Sequence, residues 1–252
     1  MQIHATMAAG VLFHVGPFAV TNAMFTAWVV MAFLVIVSIL ATRRMSLVPE
    51  SWLQNLMEMI VEFVLDITER TAGAKVGRLI FPLIATLFIF ILAANWSGIL
   101  PGVGTITLCD PHQPDHCVPI FRPATSDLNM TAGMALIAVV TVQVLGVAFQ
   151  GLRGYLKELS TPLLLTPIHI IGELSHVVSL SCRLFGNIFG GEILLVVMFA
   201  LIPYVVPAAF MGLELFFGFI QALIFTVLTA VYISLAVSGH GGGEEVHVET
   251  SQ

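Results

Sequence analysis

Apolar positions along this chain come in blocks of about 20, the number a helix needs to cross roughly 30 Å of hydrocarbon. Such blocks lie near residues 19–41, 79–99 and 128–150, and two more follow at 162–199 and 208–238. Pro162 and Pro167 open the fourth block, and Pro203 and Pro207 stand in the turn before the fifth, so the pattern predicts a closing helical hairpin over 162–238. A continuous helix from Ile168 to Phe199 runs about 48 Å, well beyond the apolar slab. Polar residues recur along both arms, so steep tilting inside the membrane is expected rather than protrusion.

Between the first two blocks the period changes. In "PESWLQNLMEMIVEFVLDITER" the carboxylates Glu58, Glu62 and Asp66 recur every fourth residue, with Leu53, Leu56, Met57, Ile60, Phe63, Val64 and Ile67 elsewhere on the wheel. This predicts one amphipathic interfacial helix over 50–70 with a solvated acidic face. The predicted fold class is an all-α polytopic membrane protein with about five membrane-embedded helices, including the long tilted C-terminal hairpin, in one membrane domain. Residues 1–18 then form an external N-terminal segment, 100–127 an external loop between the second and third spans, and 239–252 a flexible cytoplasmic tail.

Composition agrees with this pattern: 58% of the residues are hydrophobic and 10% charged, and the formal net charge of -6 gives no support to nucleic-acid binding. The cations set the orientation. Arg43, Arg44, Arg70, Lys75, Arg78, Arg153 and Lys157 fall in connections on one side and Arg122 alone opposite, which puts the first side in the cytoplasm. No Lys or Arg precedes the first block, so a cleaved signal peptide is not expected. No repeat of fixed period relates the two halves, which weakens an inverted-repeat transporter.

The candidate chemistry lies inside the fourth and fifth blocks. Arg183 stands about midway along its helix, too far from either end to snorkel, and an arginine at that depth costs from about 3 to 10 kcal/mol and cannot deprotonate. His169, His176 and Arg183 drift by only about -20° per seven residues, and Asn187 lies about 40° further round, so they share one polar stripe. Glu192, nine residues after Arg183, points to the opposite side, which excludes a direct pair between the two in a regular helix. On the last helix Glu214 and Gln221 share a face, and antiparallel pairing can bring them near Glu192 and Arg183 respectively. The plainer alternative pairs Arg183 with Glu173 or Glu214 as a buried ion pair, and leaves Asn187 and Gln221 as interhelical hydrogen-bond partners. Gly186, Gly190 and Gly191 allow another helix to approach closely, and Ser175, Ser179 and Ser181 either line water or bond backbone carbonyls.

The segments "SLSCRLFGNIFGGE", "ELFFGFIQALIFTVLTAVYIS", "FPLIATLFIFILAANWSGILPG" and "PATSDLNMT" resemble the a subunit of the membrane (Fo) sector of F-type ATP synthases, over roughly residues 20–237. The resemblance implies a stator carrying protons through two offset half-channels to a rotating ring of c subunits, held by peripheral-stalk b subunits in a bacterial inner membrane. The nucleotide catalysis lies in other subunits, and no cofactor or metal is implied. By position Arg183 matches the family's essential arginine, Asn187 its following asparagine, Glu192 its half-channel acid and Gln221 the glutamine near the arginine. A fixed cation facing the ring favours ionisation of an arriving ring carboxylate, and it bars a proton from hopping directly between channels.

Two departures stand out. Where many members pair an acid with a histidine, this chain has the two acids Glu192 and Glu214, which points to a shared proton. Fourteen residues before the arginine, where the family usually has a glutamate, stands His169, with Glu173 one turn later; both are candidates for the cytoplasmic channel, and the channel assignment of His176 stays open. In "CDPHQPDHC" the spacing of Cys109, His112, His116 and Cys117 is a weak zinc signal, and a Cys109–Cys117 disulfide is the expected state in an oxidising exterior. The alternative function is an independent proton-coupled secondary transporter; no Ser or Cys sits in a nucleophile motif that favours an intramembrane hydrolase.

Overall fold

The computed structural model describes residues 10–15, 18–43, 52–100, 103, 106–110, 113–151, 166–202 and 205–238. Outside them lie Arg44, Arg153, Lys157, Pro162, Pro203, His112 and the tail 239–252. Six α-helices are described: α1 (Asn22–Thr42), α2 (Trp52–Ala72), α3 (Ala74–Ser97), α4 (Leu128–Gln150), α5 (Thr166–Leu201) and α6 (Val206–Ser238). All but α2 are long and apolar enough to cross a membrane, and the chain is a multi-pass membrane protein. Two short antiparallel ribbons accompany them, β1 (Val11–Val15) with β2 (Phe18–Thr21), and β3 (Thr107–Asp110) with β4 (Gln113–Pro119), in segments where the sequence predicts no strand.

Local chemistry fixes the helix ends. The Thr21 hydroxyl accepts from the Met24 N–H at 3.3 Å, and the Asp127 carboxylate accepts from the Asn129 N–H at 3.1 Å, so α1 and α4 begin at capped positions. Gly73, at φ 78°, turns α2 directly into α3, which therefore starts at Ala74 and takes Lys75 and Arg78 into its first turns rather than beginning at residue 79. α5 spans 36 residues, about 54 Å if regular, and is the long helix expected of the hairpin.

The second helix has the expected two-sided character: Glu58, Glu62 and Asp66 are exposed while Val64 and Thr68 are buried against the bundle. Its exposed pairs Arg70–Asp66 at 2.8 Å and Arg78–Glu69 at 2.7 Å add little stability. The contact that defines the α2–α3 hairpin is Gly77, where an added Cβ would lie 2.9 Å from the Glu69 Cα and 3.0 Å from the Thr68 carbonyl oxygen. Both neighbours are backbone and cannot swing away. Gly77→Ala should therefore push the helices apart at a cost of about 1–3 kcal/mol, read as a lower midpoint in detergent thermal denaturation.

The core is built from Ile80, Ile84, Phe88 and Ile91 of α3, Ala135, Ala138 and Val142 of α4, Leu180 and Leu184 of α5, and Ala222, Phe225, Ala230 and Ile233 of α6. The alanines allow close helix approach, the usual device where lipid supplies no hydrophobic drive between helices. α6 is central, touching α2, α3, α4 and α5. Polar groups tie α3 to α6: the buried Asn95 side-chain amide donates to the Gly218 carbonyl at 3.0 Å, and the exposed Trp96 indole N–H donates to the Leu215 carbonyl at 3.1 Å. Gly218 permits this crossing, since a Cβ there would stand 3.2 Å from the Asn95 Cβ.

Candidate functional site

α5 separates two chemistries onto opposite faces. Its apolar span is the least buried of the five, at 17%. Leu180, Ser181, Leu184, Ile188 and Phe189 turn into the bundle, whereas Leu174, Val178, Cys182, Arg183, Gly186 and Gly190 face outward. Arg183 is exposed, and among the described residues its guanidinium has no hydrogen bond or ion pair. A Cβ added at Gly186 or Gly190 would meet nothing within 4 Å, so the helix surface beside Arg183 is low and open. Ser181 turns inward and donates to the Val177 carbonyl at 2.6 Å, while Ser175 and Ser179 are exposed.

The inner face carries the acids. Glu214 crosses α5 at Gly191, where a Cβ would stand 3.0 Å from the Glu214 Oε1, and Glu192 is near enough for the two carboxylates to repel. Glu214 Oε2 is buried with no hydrogen-bond partner among the described residues, a costly arrangement for a purely structural carboxyl. Beside it lies a cavity of about 100 Å³ lined by Asn187, Gly191, Leu194, Phe210, Glu214 and Phe217. Glu192 faces a cation that is not Arg183: Arg122 Nε lies 3.4 Å from Glu192 Oε2, with the Arg122 side chain only 7% exposed. The Arg122 guanidinium also sits over the Phe189 ring, 5.7 Å from its centroid.

Contacts along the hairpin set its register. Gly191 meets Glu214, the Asn187 side-chain amide donates to the Phe217 carbonyl at 3.4 Å, and His176 stacks on Tyr232 with ring centroids 4.0 Å apart. Interpolation between them puts Gln221 level with Arg183. Gln221 is 5% exposed and faces the bundle, its Nε2 without a partner among the described residues, whereas Arg183 faces out. The structure thus brings Glu214 to Gly191, the neighbour of Glu192, and sets Gln221 at the arginine's depth without a hydrogen bond between them. His169 and Glu173 lie on the first turns of α5, and their side chains fall outside the described ones.

Comparison with known proteins decides the family. A sequence model described as ATP synthase A chain matches residues 24–234. The chain belongs to the ATP synthase A chain family. It is 39% identical over 230 residues to ATP synthase subunit a of Moorella thermoacetica, covering 91% of this chain and 96% of that one. It is 38% identical over 238 residues to ATP synthase subunit a 2 of a Bradyrhizobium species, with 94% and 98% covered. Pelobacter propionicus ATP synthase subunit a 3 is 38% identical over 234 residues, with 91% and 90% covered. The chain is accordingly a non-catalytic subunit of the Fo sector, acting in proton transport for ATP synthesis.

Sequence reasoning left two family segments without a role. In "ANWSGILPG" Asn95 accepts from the Thr125 hydroxyl at 2.8 Å, and a Cβ on Gly98 would lie 2.5 Å from Pro123 Cγ. In "PATSDLNMT" residues 123–127 are all buried, and a short 3₁₀ turn, Ala124–Ser126, folds them against α1, α3, α4 and α5. The region between the second and third spans is therefore not loop throughout, and Arg122, counted as the lone cation of the external side, is buried at 6% exposure. A charged residue immediately before a buried turn leaves no periodic signal. The available clue was a single arginine in an otherwise cation-free connection.

Proposed function

We propose that the chain is the proton-translocating stator subunit, with Arg183 facing the carboxylates of a c-subunit ring and two half-channels meeting at its level. The observation that carries this reading is the division of α5. A permanent cation stands on its open outer face beside Gly186 and Gly190, and the half-buried Glu192 stands on the opposite face about 13.5 Å further along, next to Gly191, where Glu214 of α6 packs. A guanidinium at lipid depth with no partner among the described residues costs about 3 kcal/mol or more, and an acidic partner outside the chain offsets it. A ring carboxylate passing Arg183 loses its proton to one channel and reloads from the other, because the cation favours its ionised form and repels a proton crossing directly.

In this reading Glu192 and Glu214 relay protons from the external side, with Asn187 and the cavity beside Glu214 on their route toward the ring. Gln221 stands at the arginine's level, and His176, Glu173 and His169 lie toward the cytoplasmic end of α5. The amino terminus is external and the tail cytoplasmic, in a bacterial inner membrane, with peripheral-stalk b subunits holding the stator. Affinity purification through the tail, followed by reconstitution, tests the proposal. Co-purification of the c ring and ATP-driven acidification of the vesicle lumen are expected. A chain that purifies alone and takes up a solute with protons is instead a secondary transporter, and the reading fails.

A further inference from the structure

Arg122 is buried, always charged and not part of the stripe around Arg183. Its backbone is fixed by a tightly packed turn. The Arg122 N–H donates to the Thr26 hydroxyl of α1 at 3.2 Å, Pro123 packs on Gly98, and Thr125 is anchored to Asn95 of α3. From this anchor the side chain reaches α5, where the guanidinium lies over Phe189 and Nε lies 3.4 Å from Glu192 Oε2. Glu192 thus meets a fixed cation, and it stands one residue along α5 from Gly191, where the Glu214 carboxyl packs.

We infer that Arg122 is a positioning residue for proton transfer: it holds the Glu192 carboxylate, otherwise free about several single bonds, in the orientation that serves Glu214. This rests on the reading of Glu192 and Glu214 as relay acids. Proton transfer needs donor and acceptor oxygens within about 3 Å or one bridging water, and a misplacement near 1 Å can cost a hundredfold.

The test is a double-mutant comparison in vesicles carrying the whole complex, with passive proton conduction measured per assembled complex after removal of the soluble sector. Arg122→Gln should lower conduction about tenfold, Arg122→Lys should retain much of it, and Arg122→Gln should add less than about twofold once Glu192→Gln is present. A silent Arg122→Gln, or losses that multiply in the double variant, overturns the inference. If Arg122→Gln does not assemble, Arg122→Lys with and without Glu192→Gln decides by the same criterion: a loss that vanishes in the Glu192→Gln background supports it, and an absent or multiplying loss overturns it. Arg183→Ala, measured in parallel for ATP-driven pumping, separates the two readings. If it still pumps, the stator reading itself fails; if it is inactive while Arg122→Gln is silent, only this inference fails.

Discussion

Arg183→Ala should abolish ATP-driven proton pumping, by roughly a hundredfold or more, while the soluble sector continues to hydrolyse ATP. The size follows from the depth of the charge. Electrostatic stabilisation of about 3 kcal/mol, the low end for an arginine at lipid depth, corresponds to a factor above about a hundred. The direction follows from where the side chain stands. It is exposed and has no intrachain partner among the described residues, so its removal leaves the bundle's own packing intact and takes away only what it offers an outside partner. Pumping measured by a pH-sensitive dye in inverted vesicles, beside hydrolysis in the same preparation, gives both halves of the result. Arg183→Lys should also fail largely, because a compact ammonium does not present the planar fork that matches a carboxylate.

The second large effect concerns the two acids. Glu192→Gln and Glu214→Gln should each slow transport by about tenfold, and the double variant should be no slower than the worse single, since removing either end of a shared relay already breaks it. Losses that multiply mean two independent routes. The variants should differ in stability. Glu214 Oε2 has no hydrogen-bond partner among the described residues, so a neutral isostere disturbs little. Glu192 partly neutralises the buried Arg122, and Glu192→Gln leaves that cation less well compensated, so less complex should survive purification.

The sequence made much of this architecture readable for physical reasons that can be named. Blocks near 20 apolar residues can only be spans, and the period-four carboxylates Glu58, Glu62 and Asp66 could only mark one face of a surface helix. The wheel alone placed Glu192 opposite Arg183. What it could not supply were features made by distant segments. Arg122 becomes a buried cation because its turn is held by Thr26, by Gly98 and by Asn95, each far away in the chain. The Asn95 amide likewise finds its carbonyl at Gly218, 123 residues on. Hydropathy blocks also miss where a helix continues through charged residues, which is why α3 begins at Ala74, just after Gly73.

The account depends most on which face of α5 meets the rotor. Cys182 is free and exposed beside Arg183, and Gly186 and Gly190 lie on the same open face, while Ser181 and Phe189 are buried. The decisive measurement is oxidative cross-linking in the intact complex, between a cysteine placed near the carboxylate of the ring's outer helix and cysteines along α5. Efficient cross-links from Cys182 and, with Cys182 replaced by Ser, from Gly186→Cys and Gly190→Cys but not from Ser181→Cys or Phe189→Cys, are the predicted result. Cross-links confined to positions 181 and 189, or absent at all five, would contradict it.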